Sequence, residues 1–232
     1  MGFLSRLLRL RPKQTRLEAF LSGVTPERML HACSSSSEEV RVPMAISVRS
    51  LHIAVKFSDG LRDMVRKVGR GFAIEGEHFP VDAVAFEAAA YTYYWLMREA
   101  LLHDVEPDEE EEIDEEEAEF LECLKLAASA TSEIFVQHAD FNVKSDLLMN
   151  RCLAYSFEEG MKATPPEEKF TSFLLSSIQS RSPSEKHSVG LSTSLPLQLC
   201  VATYVPIWTS TLLDELKKGT REFYESERNR ST

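Results

Sequence analysis

The chain has 232 residues, a formal net charge of −11, and 43% hydrophobic and 27% charged side chains. That length allows one well-filled core, and the composition lies outside the low-hydrophobicity, high-charge range of disordered chains. The negative charge works against nonspecific attraction to nucleic acid or anionic lipid, since both are polyanions.

Phe3, Leu4, Leu7 and Leu8 fall on one side of a short helix and Arg6, Arg9 and Lys13 on the other, until Pro12 interrupts it. This basic amphipathic segment could dock on the domain, touch a membrane surface transiently or enter a partner's groove. It lacks the cleavage site of a signal peptide and the Ser or Thr at position 6 of a myristoylation signal. Thr15 with Glu18 forms a capping-box pattern for a second helix stopping at Gly23. Thr25-Pro26-Glu27 restarts a helix that runs to the Ser34–Ser37 tract.

Residues 40–57 can be read two ways. Val40, Val42, Met44, Ile46 and Val48, then Leu51, Ile53, Val55 and Phe57, alternate as the strands of a hairpin would. The favoured reading is a helix over 43–68, weakened at Gly60. Arg49-Ser50 is a poor tight turn, and Arg49, His52, Lys56, Asp59, Asp63, Arg66 and Arg70 form a polar stripe at helical spacing. From Pro80 to His103 the apolar residues go nearly all the way round, which predicts a central helix covered on most sides.

Asp104 to Glu119 holds twelve acids and no base, against a balance of +4 over residues 1–30. The run reads as a solvated loop, or as a docking strip for a basic partner. It leads into a helix from about Glu117 to His138 that should pair antiparallel with the apolar one. Further helices follow from Ser145 to Glu159 and from Thr164-Pro165-Pro166-Glu167 to Gln179. Ser180–Ser194 reads as a loop, and a last helix runs from Pro196 to Lys218, kinked at Pro206. No charge occurs between Ser188 and Leu213, but the prolines and hydroxyl residues there make a buried core helix the better reading than a membrane span.

The common nucleotide-binding and hydrolase motifs are missing, and Cys33, Cys123, Cys152 and Cys200 form no CxxC pair, which fits free thiols in a reducing cytoplasm. The one constellation inside the apolar helix is Glu87, Tyr91, Tyr94 and Arg98, spaced to share a face. Those groups either bond to neighbouring helices or line a ligand pocket in the bundle. Glu99 and His103, at i and i+4, are a weak metal pair, and no Glu-x-x-His unit of a di-iron site exists.

Together these features predict an all-α, single-domain helical bundle of about seven or eight helices, with an α+β hairpin near 40–57 as the alternative. The divisions are a basic segment (1–23), a helical domain (24–220) and a polar tail (221–232). The expected role is protein binding as a cytoplasmic adaptor or regulator, without catalysis or cofactor, on a partner that could be basic. A ligand- or metal-binding bundle enzyme and a peripheral membrane protein are the alternatives, and the oligomeric state stays open.

Overall fold

A computed structural model describes residues 14–24, 37–69, 79–101, 115–144, 147–156, 164–179 and 197–211, with residues 28, 31, 195 and 214. Among the described residues the chain is all helical, with seven helices and no strand. They are α1 (Arg16–Gly23), α2 (Glu38–Gly69), α3 (Val81–Leu101), α4 (Glu115–His138), α5 (Leu147–Ser156), α6 (Pro166–Gln179) and α7 (197–211). The amphipathic segment before residue 14, the restart at Thr25-Pro26-Glu27, the acidic run up to residue 114, the Ser145 cap, the 180–194 loop and the tail lie outside the described residues.

Helix α1 starts as its sequence dictates. The Thr15 hydroxyl accepts the Glu18 amide while the Glu18 carboxylate accepts the Thr15 amide, closing a capping box. Leu17 and Leu21 then turn inward.

The hairpin alternative for residues 40–57 is overturned, because the whole stretch is one helix. The buried apolar side chains of α2 include Val42, Ala45, Ile46, Val48, Leu51, Ala54, Val55, Phe57, Leu61 and Val65, while Val40 and Met44 from the alternating set face solvent. Alternation failed because Ser47, Ser50 and Ser58 are buried too. The hydroxyls of Ser47 and Ser58 find partners on Thr131 and the Val81 carbonyl, so small polar residues occupy inward positions that a hydropathy pattern assigns outward. The helix also begins ahead of Pro43, with the amides of Val40 and Arg41 on the Ser37 carbonyl. Pro43 therefore sits inside it, where it withdraws the amide that the Glu39 carbonyl would otherwise accept.

Helix α2 runs unbroken through Gly60, and the glycine has a role seen only in three dimensions. A Cβ built there would overlap the Tyr204 hydroxyl of α7, so the glycine is the notch that admits a tyrosine against the helix.

Helix α3 is the centre of the bundle and packs against α2, α4, α5 and α6. Val84, Ala85, Ala88, Ala89, Ala90, Tyr91 and Tyr93 are all essentially inaccessible. Alanines on several sides let neighbouring helices come close, and tyrosines and Phe86 fill the space between them. Contacts of α3 with α4 run Tyr93 to Thr131, Phe86 to Phe135 and Asp82 to Asp140, so the two helices are antiparallel as expected. A polar seam joins three helices. The Thr131 hydroxyl donates to the Ala127 carbonyl and accepts from Ser47 on α2 and Tyr93 on α3, each at 2.8 Å.

Helix α7 is only half buried. Leu197, Cys200, Val201 and Val205 face the core, with Tyr204 and Trp208 packed against Phe57, but Leu199 and Ile207 point outward. The charge-free run is thus not a wholly buried helix. No described helix is long and apolar enough to cross a membrane.

Candidate functional site

The four residues singled out on α3 do not converge on one point. Glu87 lies deep between α3, α5 and α6 and is 3% exposed. Its Oε1 accepts the Ser177 hydroxyl at 3.0 Å, and Arg151 Nε stands 3.3 Å from Oε2 as an ion pair whose N–H is not aligned for a hydrogen bond. The Arg151 guanidinium lies over the Phe173 ring at 4.2 Å, and the side chain is partly exposed to solvent. Burial raises the Glu87 carboxyl above its ordinary range, and the Arg151 charge and the Ser177 hydroxyl oppose that rise.

One turn on, Tyr91 is enclosed by rings. Phe170 stacks on it at 4.2 Å and nearly parallel, Tyr155 and Trp95 meet it edge-on, and Trp208 closes a further side. Its hydroxyl faces the Trp95 indole N–H and the Thr209 hydroxyl, yet none of the three makes a hydrogen bond of ordinary geometry. Burial pushes the Tyr91 hydroxyl up to about 12, so it stays protonated at any ordinary pH. Tyr94 packs against Tyr155 and Trp95. Arg98 is exposed at the end of the row, with Nη1 3.3 Å from the Tyr94 hydroxyl and its guanidinium over Trp95. The row thus passes from a buried ion pair through an aromatic cluster to a surface arginine.

What sequence reasoning missed are the partners. Arg151 and Ser177 are far from Glu87 along the chain, and nothing in their local pattern marks them. A second polar cluster, around α1, was not foreseen at all. Asp82 Oδ2 accepts the Asp140 amide at 2.7 Å and its carboxylate faces Thr15, while Glu18 sits 3.5 Å from Arg62, which also pairs with Asp59. Burial raises the carboxyls of Asp82 and Asp59. For Asp59 the Arg62 charge opposes the rise and Glu18 adds to it.

The side chain of Glu99 and the whole of His103 lie outside the described residues, as do Phe3, Leu4, Arg6, Leu7, Leu8 and Arg9. Among the described residues no group of three or more His, Cys, Asp or Glu is placed to hold a metal ion. Cys152 and Cys200 are buried free thiols and Cys123 is a half-buried one. Burial raises the Cys152 thiol far above its usual value, which leaves it protonated and unreactive.

Two helix faces point outward. On α4, Glu115, Glu119, Glu122, Leu126, Ser129, Glu133 and Val136 are all exposed and spaced alternately four and three, so they form one strip. On α7, the exposed side consists of Gln198, Leu199, Ala202, Thr203, Pro206, Ile207, Ser210 and Thr211, without a charge.

Fold and interior together define a class: an all-α bundle whose buried polar groups tie its helices to one another. Comparison with known protein families, curated proteins and solved structures gives no match for this chain.

Proposed function

We propose that the chain is a protein-binding helical domain, of adaptor or regulatory type and without catalytic activity, whose partner presents a basic amphipathic helix. The observation that carries this reading is the outward strip of α4. A single exposed leucine on a protein surface needs no explanation. Here Leu126 and Val136, 52% and 43% exposed, interrupt a row of Glu115, Glu119, Glu122 and Glu133 at the four-three spacing by which one helix meets another.

A partner helix with apolar residues on one seam could cover Leu126 and Val136, passing close over the small Ser129 between them, and lysines or arginines beside that seam would meet the glutamates. Lys125 is bonded to Glu122 at 2.9 Å within the strip and offsets only one of the four carboxylates. The chain's overall charge of −11 would speed the encounter with such a partner. Free thiols at Cys123, Cys152 and Cys200 fit a reducing, cytoplasmic setting for it.

The test is affinity capture of native complexes by the full chain and by a Glu119→Lys/Glu122→Lys/Glu133→Lys variant. A basic protein should be retained by the wild type, released by salt and lost by the variant. An identical set of captured proteins in both arms would refute the reading.

A further inference from the structure

We infer that residues 3–11 fold back, as a basic amphipathic helix, onto the α4 strip of their own chain and compete there with the partner. This rests on the reading of that strip as a docking surface, and it names the regulation of the same site. Three observations select this occupant.

The first is charge. Arg6, Arg9, Arg11 and Lys13 come with no acid among them, and nowhere else does the chain place four bases in eleven residues without an acid. The strip is the opposite. Glu115, Glu119, Glu122 and Glu133 line it, and Lys125 answers only Glu122.

The second is reach. Arg16 pairs with Asp140 at 3.7 Å, and Phe20 stacks on His138 with ring centroids 4.3 Å apart. Helix α1 therefore begins beside the C-terminal end of α4, one turn beyond Val136. Pro12 ends the preceding helical pattern, and residues 12–14, extended, cover about 10 Å, enough to carry the chain from α1 round to the strip.

The third is length and register. Residues 3–11 make a helix about 14 Å long, and Leu126 to Val136 span about 15 Å at the same rise per residue. Entering at Val136 and running parallel to α4, the segment sets Arg11 beside Glu133 and Phe3 beside Leu126, with Leu4, Leu7 and Leu8 on the seam between. Its N-terminal end then lies near Glu122, where the positive end of the helix dipole adds to the attraction.

Between separate molecules so small a contact, resting on exposed ion pairs, is weak. A short tether raises the effective concentration to about millimolar, so a contact of about 100 µM is closed about ten to one within the chain. An outside partner would then bind about tenfold more weakly than to an open strip.

Hydrogen exchange of the full chain tests the fold-back. Amides of residues 3–11 should exchange about tenfold more slowly than in an unprotected chain. Glu122→Arg/Glu133→Arg should abolish that slowing, with helical circular dichroism unchanged because both glutamates are exposed. Adding Arg6→Glu/Arg11→Glu to the same chain should restore it by reversing both sides of the contact. Unslowed exchange in the wild type overturns the inference, as does slowing indifferent to the strip or unrecovered in the double reversal. Slowing that appears only with vesicles of anionic phospholipid assigns the segment to a membrane and overturns it equally. In affinity capture, the Leu4→Glu/Leu7→Glu chain should hold the basic protein about tenfold more tightly than the wild type. Equal retention overturns the competition and leaves the binding reading standing. Protection of residues 3–11 as expected, with no basic protein captured by either chain, supports the fold-back and refutes the binding reading alone.

Discussion

At Gly60 two opposing effects can be weighed. Replacing a mid-helix glycine by alanine usually stabilises a helix by about 1 kcal/mol. Here the added methyl would meet the Tyr204 hydroxyl, whose ring is fixed beside Phe57 at 5.3 Å between centroids. Overpacking of this kind costs about 1–3 kcal/mol. Gly60→Ala should therefore lower stability in urea melts, and Gly60→Ala/Tyr204→Ala should recover the propensity gain relative to Tyr204→Ala alone. Glu87 presents a different balance. Removing its ion partner with Arg151→Ala leaves a buried carboxylate unpaired and should cost about 3 kcal/mol at pH 7. Burial raises the Glu87 carboxyl above 4.5, so protonation removes the charge first in the folded state. The loss should consequently shrink as pH falls through that raised value, and Glu87→Gln/Arg151→Met should be closer to wild type than Arg151→Ala. Sequence alone flagged Glu87, because a charge in an apolar helix needs a partner. It could not name Arg151 or Ser177, which only packing brings there.

Among the elements, α1 was the most legible. Thr15 and Glu18 announce the cap, and the cap is there. The same threonine also faces Asp82 at the start of α3. Thr15→Ala should cost about 1–2 kcal/mol, and amide hydrogen exchange should show the loss first in residues 17–21. Helix α2 was harder to read. Its valines and isoleucines alternate because buried serines take inward positions, and a hydrophobic pattern cannot register a serine whose hydroxyl is satisfied by a helix far along the chain. The polar stripe on its outer side was the sounder signal. For α7, the missing charges were visible but ambiguous, since a buried helix and an uncovered face leave the same trace in a sequence.

For the molecule as a whole, three carboxyls, on Asp59, Asp82 and Glu87, are raised by burial from ordinary values of 3.8, 3.8 and 4.5. An acid whose folded pKa is raised binds its proton more readily folded than unfolded. Folding stability should therefore increase as pH falls from 7 through those raised values, and the gain should level off near the unfolded range. A melting temperature that rises as pH is lowered from 7 toward the ordinary carboxyl range is the expected result, and the rise should diminish in an Asp59→Asn/Asp82→Asn variant. The fold class was legible at this scale because a helix apolar on every side can only be central. The arrangement of helices around it was not, since the side chains that choose neighbours are separated by most of the chain.

The three-hydroxyl seam of Ser47, Tyr93 and Thr131 bears on how many structures the sequence can adopt. Alanine-rich helix faces are smooth, so along the alanines of α3 the apolar packing alone discriminates weakly against neighbouring alignments of α2, α3 and α4. A slip into one of them would strand the Ser47 and Tyr93 hydroxyls in a dry interior, at about 1–3 kcal/mol for each, while Thr131 would keep only its bond to the Ala127 carbonyl of its own helix. The seam thus acts as an index mark that singles out one alignment among near-equals and widens the gap to the others. Thr131→Val should leave most of the helical signal intact while broadening the aromatic near-ultraviolet dichroism and the amide resonances of α2, α3 and α4, the signature of a bundle that keeps its helices and loses its single register.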